Sequence, residues 1–279
     1  MTIAITGATG QLGNLAIAAL RARGAKPIAL ARTPARAVNL GVETRPFDYT
    51  NADPNSLNGI DTLVLISSND FNDRAGQHRK VIAAAKTAGI GRILYTSILK
   101  GDGSPMILAM DHIATEAAVR DSGIPATILR NGWYTENYTG GLSAAILHGA
   151  ITGAAGDGRV SSAARKDYAE AIAVTALDTS HAGKTYELAG DWAHTGADLA
   201  AAVAAASGKH VAYLSLPQSD YAKALQGFGL PEGFAIALAD SDAHAAKGAL
   251  YDDSHTLSRL IGRPTTPIGE TIKAALTGA

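Results

Sequence analysis

The chain has no cysteine, and that single absence removes disulfides, thiolate metal centres, iron–sulfur clusters and a cysteine nucleophile together. Aromatic residues are scarce, 5% of 279 residues with only two Trp, so a Trp beside a candidate site carries more weight here than in most proteins. Charge of one sign is not in excess either. Lys and Arg number 24 against 25 Asp and Glu, a net charge of −1, which excludes a basic nucleic-acid footprint. Long apolar runs are missing too. The longest is Leu199 to Ala206, far short of the ~20 residues a membrane span needs. Before Arg21 there is no charge, yet Gly7, Gly10 and Gly13 interrupt the stretch and no basic segment precedes it, so it does not read as a secretory signal. The expectation is a cytoplasmic protein with no membrane and no nucleic-acid partner.

What the chain has in plenty is glycine, 30 residues, set into a regular alternation of apolar strands and amphipathic helices. Ile3 to Thr6 is a short β-branched run, and Leu12, Leu15, Ala16, Ala19 and Leu20 then follow at helical spacing. Strands are expected at Pro27 to Ala31, Val42 to Phe47, Thr62 to Ile66, Arg92 to Ser97 and Ala126 to Arg130. Helices are expected at Arg74 to Ala88, stopped by Gly89, and at Met106 to Ser122, stopped by Gly123 with Pro125 beyond. Strands covered on both faces read as continuous apolar runs, as Thr62 to Ile66 does. This rhythm predicts an α/β fold, a doubly wound parallel Rossmann sheet with a smaller C-terminal α/β lobe.

After Arg130 the rhythm loosens. Asn137 to Gly149 reads as one helix, and Gly153, Gly156 and Gly158 punctuate a loop. A helix from Asp167 to Leu177 and a strand from Thr185 to Leu188 come next. Thr195 and Asp198 have the spacing of a capping box ahead of the Leu199 run, with Gly208 as its stop. A strand at Val211 to Leu216 and helix around Leu257 to Ala275 complete the pattern. The expected division is a nucleotide-binding core of residues 1–131, with 150–200 returning to the sheet, and a substrate lobe of 132–149 and 201–279.

Thr6, Gly7, Thr9, Gly10, Gln11, Leu12 and Gly13 stand directly between the first strand and the first helix, in a GxxGxxG spacing. The glycines allow a tight turn and close approach of backbone to a pyrophosphate, and the helix N-terminus behind them favours negative charge. A dinucleotide site is therefore expected. An NAD-selective site wants a carboxylate at the end of the second strand, about 20 residues on. Here that place holds Ala31 and Arg32, so a guanidinium is available for the 2′-phosphate of NADP(H).

The tracts TGATGQLG, ALARTPAR, LVLISS and LRNGWYTENY, with AAGDGRV at 154–160, KDYAE at 166–170 and LIGRPT at 260–265, resemble the NmrA-like, atypical short-chain dehydrogenases over essentially the whole chain. The likeness is greatest to the bacterial quinone- and dye-reducing members. The resemblance implies two-electron hydride transfer from NADPH to a small aromatic acceptor, a quinone, by a monomer or homodimer. It also implies that Ile66, Ser67 and Ser68 line the cofactor ribose and that Asn131 lies near the nicotinamide. Trp133, Tyr134 and Asn137 would meet the acceptor.

One family feature is missing. Ordinary short-chain dehydrogenases protonate an alkoxide with Tyr-x-x-x-Lys, and none of the nine tyrosines has Lys four residues later. On the corresponding helix the register runs Leu108, His112, Glu116. His112 and Ser97 are left as catalytic candidates, His112 as a surrogate acid. A quinone needs less help, because its reduced oxyanion is phenolate-like with a pKa of about 10 and accepts a proton from water. No HExxH or other ligand set is present, so no metal is expected. Two other classes stay open: a non-catalytic NADP(H) sensor, and a reductase of dyes, imines or carbonyls.

Overall fold

A computed structural model of the chain describes residues 1–278 and resolves it into two compact units. The first comprises residues 1–101, 111–131 and 165–186. Its strands are β1 (Ile3–Ile5), β2 (Ile28–Ala31), β3 (Thr44–Pro46), β4 (Thr62–Leu65), β5 (Arg92–Ile98) and β6 (Ala126–Asn131). Strand β8 (Thr185–Leu188) completes a seven-stranded sheet of order β3-β2-β1-β4-β5-β6-β8, and every neighbouring pair from β3 to β6 is parallel. The order 3-2-1-4-5-6 is that of the doubly wound dinucleotide fold, and it reverses direction between β1 and β4.

Side chains alternate across the strands, so the two sheet faces collect different partners. Leu63, Leu65, Ile93 and Tyr95 join a core with Val81, Ala85 and Val119, which come from α2 (Arg74–Thr87) and α3 (Ala109–Asp121). On the sheet's other face α1 (Gln11–Ala22) packs along α6 (Arg165–Leu177). Helix α1 buries Leu12, Ala16, Ile17 and Leu20, the spacing its sequence displays, and α6 buries Tyr168, Ala169, Ile172 and Ala173. Arg92, buried at the start of β5, donates to the carbonyls of Ala176 and Asp178 and so satisfies the C-terminal end of α6.

The second unit comprises residues 102–110, 132–164 and, among the described residues, 187–278. Strands β7 (Ala150–Gly153) and β9 (Ala212–Ser215) pair in parallel. Their apolar side packs with α5 (Leu142–His148), α7 (Gly196–Ser207) and α11 (Ile268–Thr277) around Leu142, Leu199, Val203, Val211 and Ile272. Helices α8 (Gln218–Gly227) and α9 (Glu232–Ala245) pack together as a pair. The capping box at Thr195 and Asp198 is present at the start of α7, and Gly208 closes that helix in the left-handed region.

Several elements differ from the sequence reading. The expected helix from Asn137 to Gly149 is two, α4 (Glu136–Thr139) and α5, parted at Gly140-Gly141. A strand not expected from the sequence, β7, precedes the glycine-punctuated loop and ends at its first glycine, Gly153. The last helical stretch is α10 (Thr256–Ile261) and α11, separated by Gly262 and two prolines. Of residues 150–200, only 165–186 cluster with the large sheet, because β7 pairs with β9 instead. Among the described residues no helix is long and apolar enough to cross a membrane.

Candidate functional site

Strands β2, β1 and β4 are adjacent and parallel, so the segments that leave their carboxyl ends share one edge of the first unit. Arg32, the glycine loop and Ile66–Ser68 leave those three ends. In open α/β sheets this edge, at the strand-order reversal, is where ligands bind.

Within the glycine loop Gly7 takes φ +60° and its carbonyl receives the N–H of Gly10 at 2.9 Å, closing a tight turn. Gly13 lies against that turn. A Cβ built there would stand 2.3 Å from the Gly7 carbonyl oxygen and 2.9 Å from Ala8 Cα. Helix α1 begins at Gly10 with no side-chain cap and no acidic residue in its first turn. Its N-terminal amides and positive dipole end are therefore left for an anion. Thr9, Gly10 and Gln11 are exposed, whereas Thr6, Leu12 and Gly13 are buried and shape the loop from within. A turn with room only for hydrogen at its crossing point and an uncapped helix end fits a pyrophosphate. Arg32 is exposed past β2 and makes no hydrogen bond or ion pair among the described residues. Its charge helps to hold the Asp48 carboxyl below its usual range, after the larger contribution of the Thr50 amide.

The loop after β4 is fixed by side chains of α2. The Ser68 N–H donates to His78 Nε2 at 2.9 Å, so Nδ1 carries the ring proton and gives it to Thr115 Oγ1 at 2.8 Å. Arg74 Nε donates to the Ser68 carbonyl at 2.7 Å, and the Ser68 hydroxyl donates to Gln77 Oε1 at 2.8 Å. The Ser67 N–H reaches Thr96 Oγ1 at 2.9 Å. Arg74, Gln77 and His78 are all buried. Burial, aided by the Arg74 charge, pushes His78 down to about 3, which keeps it neutral and able to accept from Ser68.

The two catalytic candidates are engaged within the fold. His112 is buried on α3, with Nδ1 2.8 Å from the Tyr95 hydroxyl. Burial, then the nearby Arg74 and His78, holds it well below its ordinary value, which disfavours the imidazolium form that would act as an acid. The Ser97 hydroxyl donates to Glu116 Oε1 at 2.5 Å. Glu116 in turn receives two bonds from Arg130, Nε to Oε1 at 2.9 Å and Nη2 to Oε2 at 2.7 Å. Ser97 is thus tied to a buried Glu116–Arg130 ion pair, and His112 to Tyr95.

Asn131 is buried at the end of β6, where its carbonyl receives the Leu99 N–H at 2.9 Å. Trp133, Tyr134 and Asn137 fall in the second unit. There the Trp133 carbonyl receives the Ala163 N–H, and the Thr135 N–H goes to the Ala163 carbonyl. Thr135 Oγ1 contacts Ser162 Oγ at 3.1 Å, and the Ser162 hydroxyl contacts His194 Nε2 at 2.9 Å. The Trp133–Asn137 segment is therefore pinned on both its backbone and its Thr135 side chain. Sequence reasoning missed Tyr49, Arg74, Gln77, His78 and the Glu116–Arg130 pair. Only the placement of Tyr49 just past β3 pointed to the shared edge.

Quinone oxidoreductase 2 of Escherichia coli (strain K12) is 50% identical over 277 residues, 97% of each chain. The crystal structure of the NADPH-dependent quinone oxidoreductase of Escherichia coli in complex with NADPH superposes with a TM-score of 0.95, covering 98% of this chain and 99% of that one. Triphenylmethane reductase of Citrobacter sp., solved with NADP(H), is 37% identical with a TM-score of 0.91, over 98% of this chain and 99% of the other. The model of the family described as NAD(P)H-binding matches residues 7–179. The chain belongs to this NAD(P)H-binding family.

Proposed function

We propose that the chain is an NADPH-dependent oxidoreductase that reduces a quinone to the hydroquinone in one two-electron step. The observation that carries this reading is 50% identity along 97% of the chain to a quinone oxidoreductase, combined with a glycine cradle that fits a dinucleotide. When bound, NADPH supplies the hydride. The chain's own part is to hold and to exclude. The α1 amides take the pyrophosphate, Arg32 the 2′-phosphate and Ile66–Ser68 the ribose, while Asn131 lies by the nicotinamide. Trp133, Tyr134 and Asn137 bind the flat acceptor, where an aromatic ring offers a stacking face. With His112 neutral and Ser97 committed to Glu116, no side chain is set to deliver a proton at these positions. A phenolate-like product with a pKa of about 10 takes its proton from water. The chain's residues would then contribute to catalysis by positioning and not by proton transfer.

The test is NADPH oxidation, followed by absorbance, against quinones, triphenylmethane dyes, imines and simple carbonyls. Quinones are expected to be turned over fastest. Tight NADPH binding with no turnover of any acceptor would replace this reading with that of a cofactor sensor. Cofactor choice has its own check. Arg32→Ala is expected to weaken NADPH binding roughly tenfold to hundredfold, the loss of one charge-assisted hydrogen bond, and to leave NADH binding nearly unchanged. Equal losses for the two cofactors would remove Arg32 from the 2′-phosphate.

A further inference from the structure

Tyr49 lies three residues past β3, outside both loops that leave β1 and β4, yet its hydroxyl touches each of them. It stands 2.6 Å from Thr6 Oγ1, at the entry to the glycine loop, and 2.7 Å from the Ile66 carbonyl oxygen. The phenol is the donor in both contacts, its one proton shared between Thr6 Oγ1 and the Ile66 carbonyl, because the Thr6 hydroxyl proton is directed at the Val64 carbonyl. Thr6 Oγ1 also accepts the Ile66 N–H at 3.0 Å and lies 3.1 Å from the Val64 carbonyl. Thr6 and Ile66 are thus bonded directly and also through the phenol. The same hydroxyl packs beneath the turn, 3.4 Å from where a Cβ on Gly7 would be. The ring lies against Phe47 at 6.4 Å and His78 at 6.2 Å between centroids, and His78 is the residue that holds Ser68. Burial raises the phenol above its ordinary range, so it keeps its proton at working pH.

We propose that Tyr49 is a positioning residue for the cofactor, its hydroxyl clasping the glycine loop to the Ile66–Ser68 loop so that the pyrophosphate and ribose surfaces are presented as one. The proposal rests on the NADPH reading above. Glycine-rich loops are easily displaced, and a ligand that must order its own binding loop binds more weakly. The clasp spends protein hydrogen bonds on that ordering before the cofactor arrives. Tyr49 touches no reacting atom, so it bears on the first substrate and not on the chemical step.

Tyr49→Phe removes the hydroxyl and keeps the ring between Phe47 and His78. The expected result is a rise in NADPH Kd and in KM for NADPH of roughly 5- to 30-fold, the loss of one to two neutral hydrogen bonds. kcat at saturating NADPH should stay within about twofold, and KM for the quinone should not move. NADPH fluorescence gives Kd without turnover. Thr6→Val removes the partner hydroxyl and is expected to repeat the rise, while the double variant should be no worse than the weaker single one, because both delete the same clasp. A fall in thermal stability with unchanged NADPH Kd and KM would overturn the proposal and leave Tyr49 a packing residue. So would a double variant whose losses simply add. If the wild-type chain itself fails to bind NADPH, the functional reading falls and takes this inference with it. Wild-type binding with an unaffected Tyr49→Phe variant overturns the inference alone.

Discussion

Gly13→Ala is expected to weaken NADPH binding by a hundredfold or more, of the order of 3 kcal/mol, although it adds one methyl group. The added Cβ would meet the Gly7 carbonyl oxygen at 2.3 Å, Ala8 Cα at 2.9 Å and Gly7 C at 3.0 Å. All three are backbone atoms, so no side chain can rotate away. Either the turn opens or the first turn of α1 is pushed off β1, and both outcomes move the amides that would hold the pyrophosphate. Gly7 cannot give way cheaply, because at φ +60° it is already in the region that only glycine enters freely. Overpacking of this kind also costs about 1–3 kcal/mol of stability, so the affinity must be measured on protein shown to be folded. NADPH titration by fluorescence, alongside circular dichroism, separates the two effects. A folded Gly13→Ala variant with wild-type affinity would mean that the loop does not hold the dinucleotide.

The largest loss of stability is expected from splitting the Glu116–Arg130 pair. The two side chains are 6% and 16% exposed and share two bonds, and Glu116 also receives the Ser97 hydroxyl. Removing either partner strands a charge away from water, which costs about 3–5 kcal/mol. That is a large share of the net stability of roughly 5–15 kcal/mol typical of folded proteins. Glu116→Ala and Arg130→Ala should therefore each unfold at much lower urea concentration. Replacing both by apolar residues of similar size, Glu116→Leu with Arg130→Met, should recover most of the loss, since no charge is left buried. Single variants that cost less than about 1 kcal/mol would show that the pair is solvated and unimportant. Because the Ser97 hydroxyl donates to Glu116, the same experiment asks whether Ser97 serves this ion pair as a structural residue.

Much of the first unit was legible because its signals are local. A glycine loop between a strand and a helix needs only eight consecutive residues, and the apolar spacing in α1 needs one helix. The capping box ahead of α7 spans four residues and was read correctly for the same reason. What escaped depends on partners distant in the chain. β7 is short and mostly half-buried, and it exists because β9, about 60 residues later, pairs with it. The break between α4 and α5 falls at two glycines that keep helix-like angles, so the apolar pattern runs through it unbroken. In the candidate site the pattern repeats. Tyr49 reaches Thr6 across 43 residues and His78 reaches Thr115 across 37, and neither pairing has a spacing rule. His112 attracted notice as a titratable group on the right helix. Its neutral state follows from depth, which composition and register do not reveal.

The packing of α1 along α6 has a consequence for how the protein is made. Helix α1 leaves the ribosome first, but the helix that covers its face of the sheet follows only about 140 residues later. At roughly 5–20 residues per second, Leu12, Ala16, Ile17 and Leu20 wait on the order of ten seconds or more for their cover. During that interval the nascent sheet has one face bare, the condition in which partly folded chains stick to one another or to chaperones. Biosynthesis of this cofactor domain is therefore set by its last segment.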